Sequence, residues 1–240
     1  MLPPLIIAFS SAGFAVILAM VSVLPRSRSL PRWLFAAGML ILAADVAFLG
    51  ISLLQSRPVD TVYFQRWRHA ALALAPGLWL AFALTYARGN RLSTLRKWRF
   101  ELTTLLVLPI LFFAINNNGL FTDLEADDSG HVLAFYLGWT GYAIHLAIVI
   151  GAVLILMHLE RTFRTSVGTT RWRIKFMLMG TALIWAAHLY ISSQALVFRA
   201  IDFSIQGISG IGLILGCLLI LRTLFRTGHF ETDLYPSPTV

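Results

Sequence analysis

The sequence carries little charge and almost no cysteine. Charged residues make up 12% of its 240 residues, about half the share that is usual in a soluble domain, so the chain has too little polar surface to face water all round. Its one cysteine, Cys217, excludes a disulfide within the chain. Lysine occurs only at positions 97 and 175, at the edges of apolar segments. This excludes the retinal proteins, because they need a lysine deep in their last helix.

Apolar residues are abundant instead, at 58% of the chain, and they form continuous segments. A membrane helix needs about 20 such residues to cross a hydrocarbon core of about 30 Å. The segments lack the alternation of barrel strands. We therefore expect an all-α membrane protein, a seven-transmembrane helix bundle over residues 1–221 followed by a tail over residues 222–240. The predicted spans, of which the fourth is short, are 4–24, 33–54, 69–87, 101–116, 135–157, 176–197 and 203–221.

The basic residues predict the orientation of these spans. Lysine and arginine are enriched in the cytoplasmic loops of membrane proteins. Of the 19 basic residues, 15 follow the odd-numbered spans, and only Arg57, Arg66, Arg68 and Arg199 lie at the opposite ends. We expect the N-terminus outside and the C-terminus in the cytoplasm, with Arg66 and Arg68 paired with Asp60 or with lipid phosphates. The net charge of +8 then reflects topology. The expected partner is the lipid bilayer, and no nucleic acid is expected.

The longest predicted outer loop covers about residues 116–134. Its Asn-Gly and Asp-Ser-Gly turn signals favour an ordered cap or short hairpin as much as slack chain. Its acidic residues do not have the spacing of a calcium loop, which favours a solvated acidic surface. No metal site and no cofactor is predicted for the chain. The acidic residues are Asp123, Glu125, Asp127 and Asp128.

Three ionisable residues lie near the centres of predicted spans. Asp45, His145 and His188 each lie about 15–18 Å from the start of their span by the helical rise. An ionisable group in hydrocarbon normally faces the bundle interior and has a partner, so we expect one polar cluster, with Ser192 and Gln194 one or two turns above. Two interpretations stay open: pairing that only holds helices together, and a site that senses a ligand or a proton.

Prolines and glycines mark points where helices bend or approach closely. Pro76 and Pro109 predict kinks in the third and fourth spans. Gly212 and Gly216 lie four residues apart in the seventh span and form a small-residue face for helix packing. This face would serve either the fold itself or a homodimer.

The sequence offers no catalytic constellation, so we expect these residues not to form an enzyme. The His-Glu-x-x-His, Gly-x-Gly-x-x-Gly and Walker motifs are absent. The four residues from Gly207 to Gly210 match the Gly-x-Ser-Gly motif of rhomboid proteases. A rhomboid also needs a histidine base in a later helix, whereas only His229 in the tail follows Ser209.

Two segments carry a resemblance to a known family. Residues 76–90 read Pro-Gly-Leu-Trp-Leu-Ala-Phe-Ala-Leu-Thr-Tyr-Ala-Arg-Gly-Asn, and residues 230–237 read Phe-Glu-Thr-Asp-Leu-Tyr-Pro-Ser. With the number and layout of the spans, they make the chain similar to the N-terminal membrane region of bacterial histidine kinases. The resemblance is greatest to the sensor kinases linked to exosortase and PEP-CTERM protein sorting.

The resemblance implies a sensor in the bacterial inner membrane that relays a ligand, lipid or proton signal. The signal would pass to cytoplasmic kinase modules and a response regulator, and the kinase would act as a homodimer. The phospho-accepting histidine region and the ATP-binding boxes of these kinases do not occur in the sequence, so no kinase catalytic residue is carried over. The alternatives are a small transporter or permease, supported by the predicted kinks and buried polar groups, and a membrane enzyme acting on lipid.

Overall fold

The fold is a bundle of helices with a small sheet at one end. The structure, a computed structural model, describes residues 2–24, 29–86, 91–126 and 132–227. Residues 87–90 and 230–237 of the two resembling segments lie outside these ranges, as does His229. The elements are α1 Leu2–Val23, α2 Leu30–Leu53, α3 Pro58–Thr85, α4 Arg91–Lys97, α5 Arg99–Ile115, a 3-10 helix Asn117–Leu120, β1 Phe121–Ala126, β2 Val132–Leu137, α6 Trp139–Thr165, α7 Gly168–Phe198, β3 Ala200–Asp202 and α8 Phe203–Thr227.

Two predicted span starts at the sheet end of the bundle are wrong, and at the opposite end α6 and α7 extend eight residues beyond the predicted limits 157 and 176. The third span is predicted from residue 69, but α3 begins at Pro58, because a proline fits the first turn of a helix, where its missing N–H is not needed. The fifth span is predicted from residue 135, but Phe135 lies in β2 and α6 begins at Trp139. A short buried strand is as apolar as the start of a buried helix, so hydrophobicity alone does not separate them.

The three strands form an antiparallel sheet in the order β1-β2-β3. β1 and β2 form a hairpin, one of the alternatives that the turn signals leave open, and its Asp127 and Asp128 lie outside the described residues. Phe135 of β2 and Ile201 of β3 are register partners and both are buried. Phe121 of β1 stacks on Phe135 with ring centroids 4.6 Å apart. The sheet amends the all-α expectation at this end of a mostly helical chain.

Six helices pack in a closed ring. In order around the ring, α1 packs on α2, α2 on α3, α3 on α6, α6 on α7, α7 on α8, and α8 returns to α1. α5 lies outside this ring against α3 and α6, and its described buried residues are Leu105 and Pro109. α3 therefore has helical neighbours on three sides.

The Pro-Gly-x-Trp segment of α3 lies where these neighbours meet. A Cβ atom at Gly151 of α6 would lie 2.5 Å from the Cβ of Pro76, and one at Gly38 of α2 would lie 2.7 Å from the indole nitrogen of Trp79. Gly77 lets α5 approach in the same way, since a Cβ there would lie 2.9 Å from a side chain of that helix. This short segment therefore sets the approach of three helices, which gives the resembling residues a packing role.

The glycine face of α8 packs against α7. A Cβ atom at Gly212 would lie 2.7 Å from the Cβ of Ala187, and one at Gly216 would lie 2.8 Å from the carbonyl oxygen of Gly180. The face is thus filled within the chain, which favours the role in the fold over a role in a dimer.

We expect Gly151→Ala to lower the free energy of unfolding by about 1–3 kcal/mol, the usual range for overpacking. The added methyl group collides with Pro76, so α3 and α6 must separate. Gly13→Ala is the matched control, because a Cβ at Gly13 in α1 meets nothing within 4 Å, and it should be neutral or slightly stabilising. Unfolding in detergent micelles measures both variants, and equal stabilities would contradict the close approach of the two helices.

Within the described residues, five helices have the length and composition of membrane spans. They are Pro3–Val23, Leu30–Leu53, Trp139–Thr165, Arg171–Phe198 and Phe203–Leu224. The two other predicted spans correspond to α3, which carries Arg66 and Arg68 within its length, and to α5, which has 17 residues. The chain is therefore built as a multi-pass membrane protein.

Candidate functional site

A buried ion pair joins α2 and α3. Asp45 is 0% exposed and Arg68 is 4% exposed, and the Nε atom of Arg68 donates to Oδ1 of Asp45 at 2.6 Å. The two residues lie at nearly equal distances along the chain from the turn that joins these helices, so they face each other at the same level. Charges in an apolar interior persist when each has a partner, and this contact supplies one for both.

Arg68 also connects these helices to α8. Its Nη1 atom donates to Oε1 of Gln206, at the start of α8, and lies 3.4 Å from Oε1 of Gln65. The amide nitrogen of Gln65 donates in turn to the hydroxyl of Ser52 in α2 at 2.8 Å. Gln65 and Gln206 are fully buried. One guanidinium group therefore contacts side chains from α2, α3 and α8.

His188 adds α7 to this arrangement. Its Nε2 atom lies 3.4 Å from Oδ2 of Asp45, and its Nδ1 atom lies 3.0 Å from the carbonyl oxygen of Ile184. A carboxylate and a carbonyl only accept hydrogen bonds, so both contacts are hydrogen bonds only when both ring nitrogens carry protons. The contact with Asp45 joins α7 to α2.

A pair of histidines, His69 and His145, joins α3 to α6 and α7. Nδ1 of His69 lies 2.7 Å from the carbonyl oxygen of Gln65, so this nitrogen donates. Nε2 of His69 then accepts from Nε2 of His145 at 3.4 Å, and Nδ1 of His145 accepts from the hydroxyl of Ser192 at 3.1 Å. One direction of donation thus satisfies all these contacts with both histidines neutral.

We define these nine side chains as the buried polar network. The network connects all the ring helices except α1. Its members are Asp45 and Ser52 of α2, Gln65, Arg68 and His69 of α3, His145 of α6, His188 and Ser192 of α7, and Gln206 of α8.

The structure brings together four of the five residues predicted in or beside the polar cluster: Asp45, His145, His188 and Ser192. Asp45 and His188 are in contact, and His145 joins them through the network. Gln194 is half-buried, and its side chain makes no hydrogen bond to a described residue. Because α6 begins at Trp139, His145 lies about 9 Å into its helix instead of about 15 Å. The network is therefore displaced from the predicted midplane toward the sheet end.

Five members of the network are not predicted from the sequence, namely Ser52, Gln65, Arg68, His69 and Gln206. The predicted position of Arg68 in a loop, beside Asp60 or lipid phosphates, is wrong, because Arg68 is buried and pairs with Asp45. The available signal was Pro58 followed by Asp60, since a proline and an acidic residue in the first turn mark a helix start. When α3 begins at Pro58, Arg68 and His69 lie within the helix, in the interior of the bundle.

The network offers hydrogen bonding and charge pairing in an apolar interior. Within the described ranges, no group of three or more His, Cys, Asp or Glu side chains is arranged to hold a metal ion. Because its members belong to five helices, a change at one contact alters the packing of several helices. Such an arrangement suits a two-state element that links distant parts of a bundle.

Comparison with known proteins identifies the family. The family model described as the N-terminal 7TM region of histidine kinase matches residues 7–228, which include the whole buried polar network. None of the curated proteins matches the chain closely enough to count as a relative. The membrane region in this family is sensory and is not itself catalytic. The chain therefore belongs to the family of N-terminal seven-helix membrane regions of histidine kinases.

Proposed function

We propose that the chain is a sensory input region with seven membrane spans, its N-terminus outside and its C-terminus facing cytoplasmic kinase modules. The seven spans are α1, α2, α3, α5, α6, α7 and α8. The orientation rests on the 15 basic residues that follow odd-numbered spans. Burial of Arg68 removes one of the four opposing arginines from the loops, which strengthens this asymmetry. By the resemblance, the membrane is the bacterial inner membrane and the kinase belongs to the exosortase-linked group.

In this proposal the buried polar network relays the signal to α8. The supporting observation is that Arg68 donates hydrogen bonds both to Asp45 in α2 and to Gln206 at the start of α8. α8 is the helix that leads to the C-terminus, where the kinase modules of the family follow. A ligand, lipid or proton that shifts one contact of Arg68 changes the balance between two packings of α8. The kinase modules, acting as a homodimer, would respond to that balance.

The transporter alternative receives no support from the packing of the buried polar groups. Asp45 and Arg68, the charged members of the network, bond each other and are almost fully buried. Signalling also agrees with the family to which the chain belongs. Substrate flux into proteoliposomes that contain the chain would reverse this preference.

Gln206→Leu tests the relay. Loss of the hydrogen bond to Arg68 should change the equilibrium between the two packings of α8 by about tenfold. We expect the autophosphorylation rate of the variant to differ from that of the parent for this reason. A hydrogen bond to a charged group contributes about 1.5–3 kcal/mol, and about 1.4 kcal/mol corresponds to a factor of ten. The assay joins the chain at its C-terminus to histidine-kinase modules in membrane vesicles and measures incorporation of labelled phosphate.

Gln194→Leu is the matched control, because it makes the same substitution on a half-buried glutamine outside the network. It should leave autophosphorylation unchanged. The relay is refuted if the Gln206 variant folds, inserts and phosphorylates at the parental level.

A further inference from the structure

A cavity of about 440 Å³ lies at the sheet end, between the hairpin, the start of α6 and the end of α7. Ligand pockets usually have volumes of about 300–1,000 Å³, so this cavity is large enough for a molecule with one or two rings. Its lining includes Thr122, Tyr136, Leu137, Trp139, Tyr142 and Arg199. None of these residues belongs to the buried polar network.

Arg199 is the charged residue among the described residues of this lining. It ends α7 with φ of 51°, in the left-handed region, which is uncommon for a residue other than glycine and is concentrated at functional sites. Its carbonyl oxygen accepts from the backbone N–H of Leu137 at 2.7 Å, which fixes the backbone against β2. No described carboxylate lies within ion-pair distance of its guanidinium group, which is free to bind an anion.

The rest of the lining supplies aromatic surface. Trp139 is 82% exposed and Tyr136 is 41% exposed, and Tyr142 stands beside them in α6. The hydroxyl of Tyr136 donates to Glu125 at 3.4 Å, and this carboxylate lies outside the lining. Exposed aromatic rings around a single guanidinium group suit a ligand with a flat apolar body and one negatively charged group.

The cavity also contacts the segments that hold the histidine pair. Phe121 precedes Thr122 in β1, and its ring meets the ring of His69 edge-on at a centroid distance of 5.3 Å. In α6, Tyr142 lies about one turn before His145. A ligand bound in the cavity would therefore contact the segments of β1 and α6 that position this histidine pair.

We infer that this cavity binds a small amphiphile in which one carboxylate or phosphate group is attached to an aromatic or otherwise apolar body. This inference rests on the proposed function in treating the amphiphile as the sensory input. Arg199 binds the anionic group, and the rings of Tyr136, Trp139 and Tyr142 contact the apolar body. The anionic group belongs either to a soluble carboxylate or to a lipid headgroup, which share this chemistry.

The test uses 2-naphthoate as the probe and the full chain in phosphatidylcholine nanodiscs, with empty nanodiscs as the background. Isothermal titration should show saturable binding of 2-naphthoate that Arg199→Gln weakens at least tenfold. Neutral 2-naphthamide should bind at least tenfold more weakly than 2-naphthoate. Arg57→Gln is the matched control, since Arg57 is exposed at the same end outside the cavity, and it should leave affinity within twofold of the parent.

Two further experiments complete the test, one on the aromatic lining and one on the source of the anionic group. Trp139→Ala removes an exposed ring without disturbing the core and should weaken the probe several-fold. Phosphatidylglycerol added to the nanodiscs should displace the probe through Arg199 if the occupant is a lipid headgroup, and should leave its binding unchanged if the occupant is soluble. The inference is overturned when neither 2-naphthoate nor phosphatidylglycerol shows saturable binding that depends on Arg199.

The binding assay does not depend on kinase activity, so the two proposals fail separately. Binding of the probe without any change in autophosphorylation of the kinase-joined chain supports the cavity and counts against the amphiphile as the sensory input. An effect of Gln206→Leu without any Arg199-dependent binding supports the relay and refutes the cavity.

Discussion

Arg68→Met is expected to lower the free energy of unfolding by about 3–5 kcal/mol, the range for breaking a buried ion pair from one side. Methionine is long enough to fill much of the space of the arginine side chain, so the loss reflects charge and hydrogen bonding more than a cavity. The carboxylate of Asp45 would keep only the 3.4 Å contact to His188. Gln206 would lose its bond to Arg68 in the same variant.

Asp45→Leu should cost more than Arg68→Met. A buried carboxyl group that loses its partner can bind a proton and become neutral, whereas a guanidinium group stays charged. The double variant removes both charges, so it should be more stable than Asp45→Leu alone. We expect an interaction free energy of at least about 2 kcal/mol between the two positions, within the range for residues of one network. Unfolding of the three variants by sodium dodecyl sulfate in mixed micelles measures this cycle.

An exposed ion pair provides the control for this cycle. Arg164 and Glu160 of α6 lie 2.6 Å apart, and their side chains are 78% and 56% exposed. A surface pair of this kind contributes about 0.3–0.5 kcal/mol, so Arg164→Met should hardly change stability. If the losses of unfolding free energy in the two single variants add up to the loss in the double variant, Asp45 and Arg68 do not form the ion pair that anchors the network.

The sequence predicts the bundle better than it predicts the ends of its helices. Hydrophobic runs locate helices because burial in lipid demands continuous apolar surface. They fail at α3, where Arg66 and Arg68 interrupt hydropathy although the backbone stays helical from Pro58. They fail again at Phe135, where an apolar residue belongs to a strand. Hydropathy reports the surroundings of a side chain, whereas proline, glycine and acidic residues report where a helix begins.

The polar cluster could be predicted only in part for the same reason. Asp45, His145 and His188 are conspicuous because they interrupt long apolar runs. Gln206 follows the start of its span by only a few residues, where a polar side chain is ordinary. Its role becomes visible only when the fold places α8 beside the pair formed by Asp45 and Arg68. Pairings across the ring depend on the order of helices in space, which a single sequence does not contain.

The network also differs in kind from the rest of the core. Large apolar side chains hold most of the ring together, and replacing both partners of a buried ion pair by well-packed apolar residues is often neutral or stabilising. The cost of burying a network that links five helices agrees with the proposed relay to α8. Stability measurements and autophosphorylation should therefore separate the two kinds of core residue.

Trp79→Ala is expected to lower the free energy of unfolding by about 3 kcal/mol while leaving the network intact. Trp79 is fully buried, and its ring contacts Phe35, Phe82 and Trp185 at centroid distances of 5.8, 5.5 and 6.2 Å. Removing a buried tryptophan costs about 3–5 kcal/mol in soluble proteins. The lower end applies in a membrane, because lipid is as apolar as the core and only packing is lost.

Two comparisons make this prediction specific. Trp79→Phe should cost much less than Trp79→Ala, because it keeps an aromatic ring and removes an indole N–H that has no hydrogen-bond partner in the described residues. Trp172→Ala is the exposed control, since Trp172 is 63% exposed and its contact with Lys175 should contribute about 0.5–1 kcal/mol. The four proteins are compared by unfolding in mixed micelles. If Trp79→Ala unfolds no more easily than Trp172→Ala, the ring of Trp79 is not packed between Phe35 of α2 and Trp185 of α7.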